Sequence, residues 1–380
     1  MQDYPSYWEQ TTFLTPFDIL IIGSGIVGCV AALHCASGNP GLRIGIVERG
    51  VLPTGASTRN AGFACFGSIT EICKDIRTMG ETSTYDLIAK RKSGLQQLFK
   101  LISPTELDYN PTGGYEVFLE QDEHLYQQCL KSIDDLNSRL ISLFGSDPFV
   151  PDDTIAEKMK LKDIAHVIRH PFEGVLHPGK MMERFIHVVQ SAGIAVLNGV
   201  EIQQLINEDT FVRIKGKGGL ELKARYVIVA TNAFANQLIP NLALIPARNQ
   251  IYMTQPIPDL RLQGCFHYDH GFIYFREVDG RVLIGGARNL DFEGERTAEF
   301  GLTGQIRQRL TGFLSQHILP NTPFTMEYAW SGIIGIGDEK EPIIKMTDER
   351  IAVAVRLSGI GVAIGSLVGY QAAQLILARI

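Results

Sequence analysis

Three short apolar runs in the chain each predict a buried strand. Residues 18–22 read DILII, residues 43–47 read RIGIV and end on Glu48, and residues 226–229 read YVIV. Continuous apolar runs of this length are typical of strands that are covered on both faces, as in a parallel sheet. Between the first two runs, small and apolar residues follow a glycine-rich turn. This segment therefore predicts a strand–turn–helix–strand unit.

Two other patterns indicate a second kind of structure. Residues 85–102 and 123–140 repeat apolar positions at helical spacing among charged ones, which predicts amphipathic helices that serve as scaffold and rim. Residues 249–257, 271–278 and 281–288 read as strands. Asp279-Gly280 separates the last two, which is a strong signal for a tight hairpin. Alternation along the first hairpin strand places Phe272, Tyr274 and Arg276 on one face.

The last twenty residues are apolar and carry Gly361, Gly365 and Gly369 at four-residue spacing. That spacing resembles a transmembrane dimer face. Gln371 and Gln374 favour a buried helix whose glycines permit close packing. We therefore expect no integral membrane span.

Composition limits the classes of partner and compartment. Among 380 residues, 35 Lys+Arg against 41 Asp+Glu give a net charge of −6 without a basic block, so a nucleic-acid partner is disfavoured. The six cysteines form no C-x-x-C pair and no zinc-like cluster, so we expect no metal site, reduced thiols and a cytoplasmic setting. The first twelve residues lack the pattern of a secretory signal.

The first candidate site is the glycine turn GSGIVG, which holds Gly23, Gly25 and Gly28. In a strand–helix–strand unit these glycines serve a tight turn, backbone approach to a pyrophosphate, and close helix–strand packing. Glu48 lies twenty residues after Gly28, the separation of an acid that binds ribose hydroxyls. This motif predicts a dinucleotide with a free 2′-hydroxyl, and both NAD and FAD fit it.

The second candidate site is the run GASTRNAGF at residues 55–63. Ser57, Thr58, Arg59 and Asn60 offer donors to phosphate or ring oxygens, and Gly62 permits close backbone approach. With this run the chain resembles the FAD-dependent D-amino-acid oxidase superfamily. Residues 174–185, 226–235, 330–342 and 357–365 resemble further signatures of that family, in the same order. The opening SYW, the A-T-N-A run and the W-x-G-x-x-G-I-G run resemble the gamma-glutamylputrescine oxidase-like subgroup.

The resemblance implies an α/β fold with a Rossmann-like FAD-binding domain of the glutathione reductase type. It also implies an inserted α+β substrate domain with an antiparallel sheet over the flavin. The expected FAD-binding domain is discontinuous, with residues 1–80, 172–235 and 326–380. Residues 81–171 and 236–325 are expected to form the substrate domain.

The resemblance also assigns the expected contacts to FAD. They lie in the glycine turn, around the ribose acid, in the second motif, in the middle strand and in the closing signatures. The expected FAD contacts are Gly23, Gly25, Ile26, Val27, Gly28, Glu48, Arg49, Ala56, Ser57, Thr58, Arg59, Asn60, Ala61, Gly62, Phe63, Val200, Ala230, Thr231, Asn232, Gly335, Gly359, Ile360, Gly361, Val362 and Ala363. The late cysteine of covalent flavoenzymes is missing, since Cys265 is the last one, so non-covalent FAD is expected; Cys65 is a weaker candidate for attachment.

The substrate contacts are expected on the hairpin sheet. The candidates are Tyr252, His270, Phe272, Tyr274, Arg276 and Arg288, and each also has an ordinary structural explanation. Glycine oxidase-type members carry an arginine that clamps the substrate carboxylate at the position of Ile334. Ile360 replaces the histidine of the family's S-G-H-G run. Arg356, just before that run, is a candidate replacement clamp, a positive charge near the N1–C2=O end of the flavin, or a surface arginine at a strand end. A distal carboxylate, as on a gamma-glutamyl group, could be held by Arg276 or Arg288.

These features predict an enzyme that oxidises the C–N bond of a small amine by hydride transfer to flavin, with hydrolysis of the imine. Oxygen or another acceptor would take the electrons. A D-amino-acid, glycine or sarcosine-type oxidase is the first alternative. A flavin dehydrogenase or a binding protein without oxidase activity is the second. The sequence leaves the amine, the acceptor and the oligomeric state open.

Overall fold

A computed structural model describes residues 5–380. The α-helices of this part of the chain are α1 (Ile26–Gly38), α2 (Ala56–Arg59), α3 (Ile69–Met79), α4 (Glu81–Leu101), α5 (Glu123–Phe144), α6 (Thr154–Lys158), α7 (Pro178–Ser191), α8 (Gly304–Phe313) and α9 (Gly361–Leu377). The strands are β1 (Phe17–Ile22), β2 (Ile44–Glu48), β3 (Phe63–Ala64), β4 (Gly114–Leu119), β5 (Val150–Pro151), β6 (Ile164–His170), β7 (Gly174–Val175), β8 (Ala195–Asn198), β9 (Ile202–Asn207), β10 (Val212–Gly216), β11 (Glu221–Val229), β12 (Ile245–Thr254), β13 (Cys265–Tyr268), β14 (Ile273–Val278), β15 (Arg281–Gly286), β16 (Met326–Ile336), β17 (Ile343–Met346) and β18 (Ile351–Val355).

The first sheet has the order β17-β18-β11-β1-β2-β8, with the β9–β10 pair attached to β11. Its central strands β18, β11, β1, β2 and β8 are parallel. Ile19 and Ile21 of β1 pack into the core that includes α1, α7 and α9, whereas Leu20 and Ile22 pack into a core on the other face. Burial on both faces explains why β1 reads as a continuous apolar run.

The second sheet is mostly antiparallel and has the order β16-β12-β15-β14-β13-β4-β6-β5. The predicted hairpin is confirmed: β14 pairs with β15 up to Val278 and Arg281. Asp279 and Gly280 both have positive φ, at 50° and 72°, as a two-residue turn of this kind requires. Phe275 packs with α8 on the outer face of this sheet, so the alternate face, with Phe272 and Tyr274, is turned toward the first sheet.

The predicted amphipathic helices are confirmed as α4 and α5, and the architecture is the predicted α/β fold of two domains. Two packing contacts cross the predicted domain boundaries. Strand β16 pairs with β12 along its whole length, so residues 326–336 form part of the second sheet. Helix α4 packs against α9 in the core of the first sheet. A sequence pattern does not reveal which strand will pair with a glycine-rich run such as that of β16.

Helix α9 is buried against α1, and its glycines set how close the two helices lie. A Cβ on Gly365 would lie 2.9 Å from the Ile26 side chain, and one on Gly369 would lie 2.6 Å from the Val27 carbonyl oxygen. The prediction of a buried helix is therefore confirmed. Within residues 5–380, no helix combines the length and the apolar character that a membrane crossing requires.

Candidate functional site

A cavity of about 460 Å³ lies between the two sheets. One end is at the carboxyl ends of the parallel strands β1 and β2, where open α/β sheets bind their ligands. The other end lies under the inner face of the second sheet, against β14 and β15. We call the first end the strand-end pocket; residues such as Gly23, Gly25 and Glu48 line it. We call the second end the sheet-side pocket; residues such as Phe272, Tyr274 and Arg288 line it.

The glycine turn of the strand-end pocket has the geometry that a pyrophosphate cradle needs. Gly23 has φ of 106°, a conformation that other residues rarely adopt. A Cβ on Gly28 would lie 1.9 Å from the Gly23 carbonyl oxygen, so only glycine lets α1 come this close to the turn. Gly25 precedes α1 and lines the cavity, and a Cβ there would lie 2.8 Å from Ser57 Oγ. The first turn of α1 therefore presents bare backbone to the cavity.

Glu48 ends β2 with its side chain in the wall of the strand-end pocket. Its Oε2 accepts hydrogen bonds from Ser24 N at 3.1 Å and Ser24 Oγ at 2.8 Å, and its Oε1 accepts one from Gly50 N at 3.0 Å. The residue is 8% exposed. A carboxylate fixed in this way, with lone pairs left over, is suited to accept hydrogen bonds from two ribose hydroxyls.

The run at residues 55–63 forms the short helix α2 and then β3. Ser57 Oγ accepts a hydrogen bond from Ile26 N at 3.0 Å, which joins α2 to the start of α1. Asn60 caps the turn, since its Oδ1 accepts from Gly62 N at 2.7 Å. Arg59 donates to the Ser331 carbonyl at 2.9 Å, and Trp330 Nε1 donates to the Arg59 carbonyl at 3.0 Å. The second motif is thus tied to both the glycine turn and β16.

The closing signature brings a second helix start to the cavity. Gly359 to Val362 line it, and Ile360, the residue before α9, provides no side-chain hydrogen bond to the helix. The first N–H groups of α9 are therefore available to an electronegative group. Thr231 Oγ1, also in the wall, is buried without a hydrogen-bond partner among the described residues. Free donors, the glycine cradle and the Glu48 carboxylate together fit FAD.

Most of the predicted FAD contacts converge on this one cavity. Those that line it are Gly23, Gly25, Ile26, Val27, Glu48, Arg49, Ala56, Ser57, Arg59, Asn60, Ala61, Phe63, Val200, Ala230, Thr231, Asn232, Gly359, Ile360, Gly361 and Val362. Those that do not line it are Gly28, Thr58, Gly62, Gly335 and Ala363. Thr58 Oγ1 instead donates to the Pro53 carbonyl, and Gly28, Gly62 and Gly335 occupy sites where a Cβ would meet neighbouring atoms.

The sheet-side pocket contains four of the predicted substrate candidates: His270, Phe272, Tyr274 and Arg288. The predicted shared face of β14 is present, since Phe272 and Tyr274 face the cavity while Ile273 and Phe275 face the outer core. Burial raises the pKa of Tyr274 and lowers that of Arg288. Ile334 also lines the cavity. The position at which glycine oxidase-type members carry the carboxylate-binding arginine therefore holds an apolar side chain in this protein.

Three other candidates do not line the cavity. Arg276 shares the face of Tyr274, but its Nη1 donates to the carbonyls of Ala61, Gly62 and Leu176. Arg356 donates to the carbonyls of Glu341 and Ala243 and to Glu339 Oε2. Tyr252 is buried in the outer core. Both arginines connect backbone segments through hydrogen bonds to carbonyl oxygens. The spacing of residues in a sequence does not distinguish this structural role from ligand binding.

Several polar residues that line this cavity were not predicted, among them Glu71, Lys74, His267 and Lys340. Lys340 Nζ donates to Glu71 Oε1 at 2.6 Å and to Asp75 Oδ2 at 2.8 Å. Burial opposes ionisation of Glu71, but Lys340 and Arg91 lower its pKa to about 2. Helical spacing shows only that Glu71 and Lys74 can share a face of α3. Their position at the cavity depends on how α3 packs, which no local motif signals.

A buried group of potential ligand atoms lies beside this wall. Glu173, Cys265 and His267 bring one such atom each within 4.8 Å of one another. Burial raises the pKa of Glu173 to about 8, raises that of Cys265, and lowers that of His267 to about 4. All three side chains are therefore largely uncharged at neutral pH, and His267 Nε2 has no hydrogen-bond partner among the described residues.

Comparison with known proteins agrees with this geometry. The family model described as FAD dependent oxidoreductase (DAO) matches residues 18–375. The chain is 22% identical over 378 residues to the probable oxidoreductase OrdL of Rhizobium meliloti (strain 1021), with 95% of this chain and 83% of that protein covered.

Solved structures share the fold. Glycine oxidase from Geobacillus kaustophilus superposes with a TM-score of 0.77 at 18% identity, covering 95% of this chain and 94% of that one. L-Proline dehydrogenase from P. horikoshii superposes with a TM-score of 0.75 at 19% identity, covering 95% and 93%. Iminodiacetate oxidase from Chelativorans sp. BNC1 gives 0.73 at 18% identity, with 95% of each chain covered. Since the family model spans nearly the whole chain, the protein belongs to the FAD-dependent oxidoreductases of the DAO family.

Proposed function

We propose that this protein oxidises the C–N bond of a small amine, with FAD as the electron acceptor, and that water then hydrolyses the imine. The observation that carries the proposal is one continuous cavity. It joins a dinucleotide cradle at Gly23, Gly25 and Glu48 to an enclosed wall at Phe272 and Tyr274. This arrangement provides room for a small substrate beside a held cofactor.

The strand-end pocket would hold the adenosine half of FAD. The first turn of α1 would offer backbone N–H groups to the pyrophosphate, and Glu48 would accept hydrogen bonds from the ribose hydroxyls. The residues from Gly359 to Val362 would place the start of α9 near the electronegative edge of the flavin ring. Bound FAD supplies a two-electron acceptor for the carbon that bears the amine.

The sheet-side pocket orients the substrate and excludes water. Phe63, Phe272 and Tyr274 give it aromatic walls, and Phe63 packs edge-on against Tyr274 at a centroid distance of 5.7 Å. No strong base is required if the amine arrives uncharged. The neutral His267, whose free Nε2 accepts or donates one hydrogen bond, is then a suitable neighbour for an uncharged amine.

Ile334 supports a substrate that lacks a carboxylate next to the amine. An isoleucine offers no donor, and a buried carboxylate without a partner is strongly disfavoured. Since Arg356 is engaged outside the cavity, it does not replace the missing clamp from its present position. We therefore propose that simple amines react faster than glycine, sarcosine or D-alanine. The narrower resemblance to gamma-glutamylputrescine oxidases remains a prediction.

Non-covalent binding of FAD is also part of the proposal. Among the cysteines, only Cys65 lines the described cavity. Burial and the nearby Glu173 raise the pKa of its thiol well above the ordinary value, which disfavours the reactive thiolate. Acid precipitation of the holoenzyme should release all of the yellow cofactor as FAD. Colour that stays with the precipitate would indicate a covalent link.

Product analysis tests the function. Purified holoenzyme is incubated with amines, polyamines and amino acids, in air and with an artificial electron-accepting dye. The carbonyl product and peroxide are then measured. A carbonyl product with peroxide supports an oxidase, and a carbonyl product only with the dye supports a dehydrogenase. If no amine gives a carbonyl product with either acceptor, the proposed amine oxidation is wrong and a flavin-binding role remains.

A further inference from the structure

We infer that Cys73 and Cys129 form a peroxide-sensitive thiol pair, in which hydrogen peroxide oxidises Cys73 and Cys129 then closes a disulfide between helices α3 and α5. Neither cysteine lines the cavity described above. The inference does not depend on the proposed function, because added peroxide serves as well as peroxide formed by turnover.

The packing of α3 against α5 brings the two thiols together. Cys73 lies on α3 and Cys129 on α5, and the two helices are in contact. Cys129 is part of the core of the first sheet, and Cys73 packs against that core. The two side chains are hydrogen-bonded to each other, and both are free thiols. A bond between the two sulfur atoms therefore requires no rearrangement of the two helices.

The two thiols differ in their access to solvent. Cys129 is 1% exposed, whereas Cys73 is only partly buried. A small solute such as peroxide therefore reaches Cys73 first. The same partial exposure distinguishes Cys73 from the other cysteines of the chain, all of which are buried.

The surroundings of the pair also make Cys73 the better nucleophile. The hydrogen bond to Cys129 lowers the pKa of Cys73; burial opposes this effect, and the Ser132 hydroxyl and the Arg77 guanidinium add to it. Arg77 lies four residues after Cys73 on α3, and Ser132 lies three residues after Cys129 on α5, so each shares a helix face with its cysteine. The same hydrogen bond, together with burial, raises the pKa of Cys129. Cys73 therefore forms the reactive thiolate while Cys129 keeps its proton.

The remaining four cysteines lack these properties. Burial raises the pKa of each of their thiols, and the four are Cys29, Cys35, Cys65 and Cys265. A buried, protonated thiol is a poor nucleophile. We therefore expect oxidation to be confined to the pair on α3 and α5.

The reaction takes place in two balanced steps. The Cys73 thiolate attacks one oxygen of hydrogen peroxide, the O–O bond breaks, and the other oxygen leaves as hydroxide, so that Cys73 becomes a sulfenic acid. The Cys129 sulfur then attacks the Cys73 sulfur, the S–O bond breaks, and that oxygen leaves as water after the Cys129 proton is transferred. Two thiols and one peroxide thus give one disulfide and two waters. The new bond fixes α3, whose Lys74 lines the sheet-side pocket, to α5.

Peptide mapping of the oxidised protein tests the pair. Reduced, FAD-loaded protein is treated with a small excess of hydrogen peroxide, the remaining thiols are alkylated with iodoacetamide, and the digest is analysed by mass spectrometry. Wild type should give a peptide pair joined through Cys73 and Cys129, which dithiothreitol separates. In Cys129→Ser, a sulfenic acid should accumulate at Cys73, where dimedone traps it. In Cys73→Ser, Cys129 should stay reduced. Cys35→Ser is the matched control and should be oxidised as wild type is.

The rate of alkylation provides a second measurement that needs no variant. In the reduced native protein, iodoacetamide should label Cys73 on the order of 10-fold or more faster than the four buried cysteines outside the pair. FAD content and thermal midpoint of the reduced variants provide the check on folding. The inference is overturned if peroxide leaves both thiols of the pair open to alkylation, if the joined peptides contain a different cysteine, or if Cys73 is labelled no faster than the buried cysteines.

Discussion

The strand-end pocket and the sheet-side pocket are parts of one cavity, but they are built in different ways. Backbone dominates the first: Gly23 and Gly25 remove side chains, and helix starts offer N–H groups. Side chains dominate the second, where Tyr274 comes from β14, Arg288 from the turn after β15, and Lys74 from the distant helix α3. The first pocket therefore depends on glycine and chain direction, and the second on which side chains the fold brings together.

This difference determines which substitutions each pocket tolerates. A bulky side chain at a cradle glycine collides with fixed backbone or a neighbouring hydroxyl. A changed side chain in the sheet-side pocket alters which ligand fits while the sheet remains intact. We therefore expect substitutions in the strand-end pocket to remove FAD, and substitutions in the sheet-side pocket to change substrate preference with FAD still bound.

The largest effect is expected for Gly25→Leu. The new side chain would start 2.8 Å from Ser57 Oγ and occupy the place of the pyrophosphate. Purified Gly25→Leu should therefore be folded but colourless, as measured by flavin absorbance relative to protein absorbance. Gly304→Leu is the matched control, because a Cβ at Gly304 meets nothing within 4 Å. A yellow Gly25→Leu protein would show that the pyrophosphate lies elsewhere.

A smaller loss is expected for Glu48→Gln. The amide keeps the shape but not the charge, so hydrogen bonds from the ribose are weaker by about 1.5–3 kcal/mol at most. The dissociation constant for FAD should rise by roughly 10–100-fold. FMN, which lacks the adenosine ribose, provides the control ligand, and its affinity should be the same for both proteins. Equal losses for FAD and FMN would contradict a ribose role for Glu48.

Arg356→Ala should affect stability and leave substrate preference unchanged. The Arg356 side chain is 5% exposed, and its loss leaves the carbonyls of Glu341 and Ala243 without donors. We expect destabilisation of about 1–3 kcal/mol, seen as a lower thermal midpoint. The rates of flavin reduction by D-alanine and by butylamine should keep their ratio. A selective loss of D-alanine oxidation would instead identify Arg356 as the carboxylate clamp and support the amino-acid oxidase alternative.

The last prediction concerns pH and the buried Glu173 beside the sheet-side pocket. Burial raises its pKa from 4.5 to about 8, so the folded state holds a proton that the unfolded state releases between these values. Its contribution to stability therefore falls as pH rises from 4.5 to about 8. In Glu173→Gln, the thermal midpoint should depend less on pH between 4.5 and about 8 than it does in wild type. The exposed Glu349→Gln is the control, and an unchanged slope in Glu173→Gln would contradict the raised pKa.

The sequence predicted those features whose structure depends on a few neighbouring residues of the backbone. The turn at Gly23–Gly28, the Asp279-Gly280 hairpin and the buried α9 were all predicted from patterns a few residues long. Arg276 and Arg356 donate to backbone carbonyls, a role that a sequence cannot distinguish from substrate binding because a guanidinium serves both equally well. Lys74 and His267 were missed because packing alone brings α3 and β13 to the cavity. The pairing of β16 with β12 was not predicted because strand pairing is not local.

Anaerobic reduction of the bound FAD tests the central claim most directly. The long-wavelength absorption of the flavin is followed after mixing wild-type holoenzyme with butylamine, glycine, sarcosine or D-alanine in the absence of oxygen. The account predicts that the amine without an adjacent carboxylate bleaches the flavin faster than the three amino acids, because Ile334 offers no carboxylate clamp. Faster bleaching by the amino acids, or no bleaching by any amine, would contradict it.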